Sequence, residues 1–265
     1  MLKLGLAARQ IKKSTSDEQR QWAKQYLVEL LGKSRGLPTK IGQFMTMDDP
    51  SFRESLTNSL VPMPYEEVTE LLDKAYGEPF DTVFKKLDKS AKVASLGQVH
   101  FGKLKDDTEV AIKVQYPEIA KGVEAELDII GWMPKVGPVA KWGFKMDGYR
   151  DAFWDNLKEE LDYGIEMKHQ MRYRQLIHPL ERILIPEVIE GLCQPNVLVQ
   201  TKEEGFGLDK AETMMPAQKQ AMGRLLLEHY FYMLFRHGFV HADPQPANLA
   251  FRQFKKDYFV LILYD

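Results

Sequence analysis

His241-Ala242-Asp243-Pro244-Gln245-Pro246-Ala247-Asn248, followed after an apolar run by Tyr264-Asp265, is the stretch on which the reading of this chain turns. Its two prolines keep the segment out of regular helix and strand, so Asp243 and Asn248, five residues apart, can turn their oxygens toward one point. Phosphoryl transfer needs a carboxylate to accept the proton of the attacking hydroxyl, a neutral amide oxygen for one Mg²⁺, and a second carboxylate for another. Asp243, Asn248 and Asp265 supply those three types in that chain order. A turn with two Asx caps ahead of a buried strand would look the same, and this stretch alone leaves both readings open.

Working outward, the composition is that of an ordinary globular chain. The 265 residues are 44% hydrophobic and 28% charged with a net charge of -2, so no nucleic acid is expected as a bulk electrostatic partner. One cysteine, Cys193, excludes an internal disulfide and fits a reducing compartment. The N-terminal MLKLGLAARQIKKS is a poor secretory signal, and no uncharged apolar run approaches the roughly 20 residues that span a bilayer. A cytoplasmic location follows, with any membrane contact peripheral.

Apolar spacing predicts a helix over residues 17–33, stopped by Gly32 and Gly36, then a short helix from Pro38 through Lys40 and Gln43 in which Gly42 permits close packing. Residues 64–76 read as another helix, and Phe80 to Leu87 as one or two further turns. Short strands are predicted at Ala91 to Leu96, Gln98 to Leu104 and Glu109 to Val114. The third contains Val110-Ala111-Ile112-Lys113, the pattern of a strand whose lysine neutralises the phosphates of a nucleotide; a solvated edge-strand lysine is the alternative.

Residues 118–130 and about 148–176 read as helices, the second with Phe153, Leu157, Leu161 and Ile165 on one row. Asp162 and Glu166 lie four apart beside that row, where like charges repel unless a cation intervenes; Lys113 is the natural partner for Glu166, and a solvated acidic face is the alternative. Ile183 to Ile189 and Asn196 to Gln200 read as strands, and Thr201-Lys202-Glu203-Glu204-Gly205 as a hinge. Pro216 to Arg236 reads as a long amphipathic helix ended by Gly238, and Phe259 to Tyr264 as a buried strand delivering Asp265.

In this order the motifs resemble the UbiB (AarF-like) family of atypical protein kinases, associated with coenzyme Q and other prenyl-quinone pathways. Lys40-Ile41-Gly42-Gln43 matches the family's KxGQ motif, and Ala94-Ser95-Leu96-Gly97-Gln98-Val99-His100 the end of its alanine-rich loop. Val110 to Lys113 matches VAIK; Glu160-Leu161-Asp162 with Glu166 matches the ExD motif and the helix glutamate beyond it; His241 to Asn248 with Asp265 matches the catalytic loop and the metal-binding aspartate. Lys92 and Val93 depart from the pattern, standing where the family has alanines.

The resemblance implies an α+β, protein-kinase-like fold: a helical extension over 1–88, a five-stranded antiparallel small lobe over 89–204, and the start of a helical large lobe over 205–265. It implies binding of ATP or ADP with Mg²⁺. Asp243, Lys113 and Glu166 are the expected catalytic residues, and Asn248 and Asp265 the expected metal ligands. Ala94, Ser95, Gly97, Gln98, Lys113, Lys40, Gln43, Glu160 and Asp162 are expected around the nucleotide. The KxGQ segment is implied to lie over the cleft as a lid that obstructs protein substrates. Quinone precursors or the enzymes that make them are the implied partners, and an inner membrane the implied site of peripheral contact. The chain is expected to be a fragment, because helices of the large lobe should follow Asp265. A small-molecule phosphotransferase of the aminoglycoside or choline kinase kind, and a non-catalytic nucleotide-binding scaffold, are the competing classes.

Overall fold

The computed structural model describes residues 6–7, 10–11, 16–33, 39, 42, 50–94, 96–117, 119, 159–241 and 245–264. Most of the helices expected at 38–45 and 118–130, and residues 148–158 of the next, lie outside the described residues. The chain forms two compact units, one of residues 1–82, 87–100 and 113–162, the other of 83–86, 101–112 and 163–265.

In the first unit, α1 (Asp17–Lys33) and α2 (Pro50–Ser59) pack at Gly32, which is a notch inside α1 and not the stop read from the sequence. A Cβ there would overlap Ser59 Oγ and lie 2.9 Å from the Leu56 carbonyl, so only glycine allows the approach. Gly42 likewise faces Leu56 and Leu31. Helix α3 (Tyr65–Tyr76) buries Val68 and Leu72 and closes on Gly77. Helix α4 (Phe80–Val83) is a single turn, after which the chain becomes strand β1 (Phe84–Val93). The helix expected to reach Leu87 is therefore corrected: buried Phe84 and Leu87 are three apart, a spacing that mimics helix in sequence.

Strands β2 (Gly97–Leu104), β3 (Glu109–Gln115) and β5 (Val197–Thr201) complete a four-stranded sheet ordered β1-β2-β3-β5. The fifth strand expected from Ile183 to Ile189 is absent among the described residues. Pro186, which has no N–H for a ladder, splits that segment. Its first part becomes β4 (Ile183–Leu184), and beyond the proline Val188 makes an isolated antiparallel bridge to Gln200.

The second unit holds α5 (Tyr163–Ile177), α6 (Leu208–Glu212), α7 (Pro216–Tyr232) and a second sheet ordered β4-β7-β6, with β6 (Leu249–Lys255) antiparallel and β4 parallel to β7 (Tyr258–Leu263). Phe259 to Leu263 are all buried, as a central strand covered on both faces requires. Phe259, Leu261 and Leu263 pack with Phe251, Leu225, Met222 and Met233 in one core. Helix α7 widens into a π turn over Met233–His237 and ends on Gly238, whose φ of 58° lets the chain reverse. Its apolar stripe is only half core: Leu225 and Met222 are buried, whereas Leu227, Phe231 and Phe235 are exposed. Among the described residues, no helix is long and apolar enough to cross a membrane.

Candidate active site

Lys113 sits on β3, which lies between β2 and β5. It is an interior-strand lysine and half-buried, so the solvated edge-strand alternative falls. Strand side chains alternate, which puts Gln115 on the same side as Lys113. The Gln115 amide donates to the Leu161 carbonyl at 2.8 Å, joining that side of β3 to the Glu160-Leu161-Asp162 turn. Glu159 and Glu160 are helical, and the chain leaves the helix at Leu161, with the Asp162 N–H on the Glu159 carbonyl at 3.1 Å. The unbroken helix expected through this region is thus interrupted. Asp162 immediately precedes α5 and Glu166 lies in its first turn, so both carboxylates stand at the positive end of a helix dipole.

The alanine-rich loop is a tight connection. The Ala94 N–H donates to the Gly97 carbonyl at 2.9 Å, and the Leu96 carbonyl accepts from the Tyr116 N–H at 3.1 Å. Gly97 opens β2 and is not among the positive-φ residues Gly77, Gly238 and Asp107. Gln98 is completely buried. Its Oε1 accepts from the Met63 N–H at 2.6 Å, and its Nε2 donates to the Met63 carbonyl at 3.3 Å and to His100 Nε2 at 2.8 Å. His100 therefore carries its proton on Nδ1, donated to the Asp88 carbonyl at 2.9 Å, and burial depresses its pKa. The Gln98 amide is thus engaged by Met63 and His100.

Asn248 ends a short 3₁₀ turn, Pro246–Asn248, with its N–H on the Gln245 carbonyl at 2.9 Å. Strands β6 and β7 pair Leu249 with Leu263, and the Tyr264 N–H continues the ladder onto the Asn248 carbonyl at 2.9 Å. The register thus sets Asn248 opposite the residue that precedes Asp265 in the chain. Tyr264 Oη donates to the Glu203 carbonyl at 3.1 Å, while Arg252 Nε donates to the Glu204 carbonyl at 2.8 Å and its guanidinium pairs with the Glu203 carboxylate at 2.7 Å. Gly205 rests on the same hairpin; a Cβ there would come within 2.9 Å of Ala250 Cβ and the Phe251 carbonyl. The expected hinge is in this way tied to the β6–β7 hairpin at three points. Lys40, Gln43, Ser95, Asp243 and Asp265 lie outside the described residues.

The sequence model of the ABC1 atypical kinase-like domain matches residues 55–265. The chain belongs to this family. Similar ABC1-type proteins include the mitochondrial atypical kinase coq-8 of Caenorhabditis elegans, 29% identical over 231 residues that cover 84% of this chain and 31% of that protein. The mitochondrial atypical kinase COQ8B of Rattus norvegicus is 27% identical over 234 residues, covering 85% of this chain and 44% of that protein. The chain spans less than half the length of these curated relatives. Among solved structures, the Rv3197–erythromycin complex from Mycobacterium tuberculosis is similar with a TM-score of 0.63 at 26% identity, over 96% of this chain and 66% of that one. The UbiB/AarF resemblance and the kinase-like fold class stand on these matches.

In this ABC1 domain the donor types suit Mg²⁺, since an amide oxygen and carboxylates are hard ligands. The β6–β7 register sets Asn248 opposite Tyr264, the residue before Asp265 in the sequence. Sequence reasoning missed Gln115, Arg252 and Tyr264 as organising residues. Period-two alternation from Lys113 points at Gln115, but nothing local marks Arg252 or Tyr264, because their partners lie some fifty to sixty positions upstream.

Proposed function

We propose that this ABC1 domain binds an adenine nucleotide with Mg²⁺ and acts as an atypical kinase or ATPase that supports prenyl-quinone biosynthesis, in peripheral contact with an inner membrane. What supports the nucleotide reading is the β6–β7 register, which brings Asn248 opposite Tyr264, the residue before Asp265 in the sequence. Kinship with proteins named coq-8 and COQ8B supports the pathway reading.

The residue roles follow from chemistry. Lys113 holds phosphate oxygens, and Glu166 orients it by charge pairing. Asn248 and Asp265 would hold Mg²⁺, which when bound neutralises charge on the terminal phosphates. Asp243 accepts the proton of the attacking hydroxyl or water. Glu160 and Asp162, beside the side of β3 that carries Lys113, and the backbone of Ala94, Ser95 and Gly97 complete the nucleotide contacts. Lys40 and Gln43 act as a lid that favours a small or lipid-like acceptor over a protein. The division at residues 88 and 204 is kept with this reading.

The test is Mg²⁺-dependent ATP hydrolysis together with thermal stabilisation by MgATP and MgADP. Hydrolysis lost in Asp243→Asn and stabilisation lost in Lys113→Ala support the proposal. No stabilisation of the wild type by either nucleotide ends it. Stabilisation without hydrolysis leaves the scaffold class in its place.

A further inference from the structure

Tyr173 lies seven residues beyond Glu166 on α5, two helical turns along the same face, with Gln170 between them. Gln170 Nε2 donates to the Pro186 carbonyl at 3.0 Å and to Gln200 Oε1 at 2.5 Å, which anchors that face to β5. Tyr173 anchors it elsewhere. Its Oη lies 2.6 Å from Nε2 of His229, a buried residue of α7, and it accepts the backbone N–H of His241, where the catalytic loop begins. The Tyr173 hydroxyl and His229 Nε2 share one hydrogen bond, whose direction is set by the His229 tautomer, and the hydroxyl oxygen keeps a lone pair for the His241 N–H.

The ring of Tyr173 does further work on the same loop. Phe239, two residues before His241, lies with its ring centroid 5.6 Å from Tyr173, 6.0 Å from His169 and 4.9 Å from the Arg172 guanidinium. Three residues within two turns of α5 therefore grip the loop entrance, just after the left-handed Gly238 releases it from α7. Burial keeps both partners neutral, pushing Tyr173 up to about 12 and His229 down to about 4.

We infer that Tyr173 is a positioning residue that locks the helix carrying Glu166 to the entrance of the His241–Asn248 loop, through His229 and the His241 backbone. This rests on the nucleotide reading for its catalytic consequence, and on geometry alone for the lock. A shift of α5 cannot leave Phe239 and His241 behind, so the helix that carries Glu166 and the entrance of the loop are set together.

The test uses the full chain with Tyr173→Phe, which deletes the hydroxyl and keeps the ring on Phe239. Turnover of MgATP is expected to fall on the order of tenfold or more, as small misplacements of reacting groups do. Its KM should stay within about threefold. Hydrogen exchange at residues 239–241 is expected to quicken by about tenfold or more while α7 keeps its protection. His229→Leu should reproduce both effects and His229→Gln, which restores an acceptor, should largely reverse them. Unchanged turnover and unchanged exchange in Tyr173→Phe overturn the inference, as does exchange that rises uniformly across the second unit. If the wild type hydrolyses no nucleotide, the functional reading fails, and local exchange at 239–241 alone decides whether the lock exists.

Discussion

The backbone N–H of Tyr264 donates to the carbonyl of Asn248 at 2.9 Å. One ladder rung thereby joins the amide expected on Mg²⁺ to the residue that leads into the expected carboxylate. Asn248→Ala keeps that backbone bond and removes the side-chain amide. The thermal shift produced by MgADP should disappear, since ligand at a hundred times its Kd contributes about 2.7 kcal/mol. The ligand-free midpoint should move by no more than about 2–4 °C. Full stabilisation of the variant by MgADP would remove Asn248 from the metal site.

Gln98 is expected to matter for stability and little for nucleotide. Its deletion in Gln98→Ala leaves the Met63 N–H and carbonyl buried without their partner, at a cost of about 1–3 kcal/mol. Urea unfolding should show that loss with an unchanged slope. A nucleotide Kd weakened far beyond what the stability loss explains would return Gln98 to the binding surface.

Lys113 should separate charge from geometry. Lys113→Arg retains the positive charge but replaces a compact ammonium with a planar fork, on an interior strand flanked by buried Ile112 and Val114. Both Lys113→Ala and Lys113→Arg are expected to lose most MgATP stabilisation, measured by calorimetry. Retention of wild-type affinity in Lys113→Ala would exclude a phosphate contact.

Stability should fall on acidification through a defined window. His229 titrates at about 4 in the fold against 6.5 in the unfolded chain, because burial and then the charge of His241 oppose protonation. Between those values the unfolded chain binds more protons, so stability is full above about pH 6.5, declines toward pH 4 and levels off below it. The whole step is at most about 3.5 kcal/mol, from roughly 1.4 kcal/mol per unit. His100, also depressed by burial, acts with the same sign. His229→Gln should flatten the acid limb of the pH–stability curve, and an unchanged limb would mean that His229 is protonated in the fold.

What was legible in sequence was the fold where apolar spacing is regular: α1, α3 and α7, and the buried strand β7 before Asp265. The order of Lys113, Asn248 and Asp265 along the chain carries the proposed chemistry. What escaped was decided by long-range packing. Phe84 and Leu87 imitate helical spacing within a strand, Pro186 diverts Ile183 and Leu184 to a different sheet, and Gln98 looks like a loop residue until Met63 is brought to it. Strand β6 went unread because Arg252, Gln253 and Lys255 dilute its apolar pattern toward an exposed tip.

The irregular pairing near that tip, between Gln253 and Lys255, separates what must be kept from what can drift. Insertions or deletions around Lys256 and Asp257 would lengthen or shorten an outlying bend and leave Asn248 and Tyr264 facing each other. The same changes between Leu249 and Arg252 would slide one end past the other. Related chains should therefore be matched by aligning the two strands outward from Asn248 and Tyr264, because a search that fixes the gap between the amide and the final carboxylate would pass over true relatives.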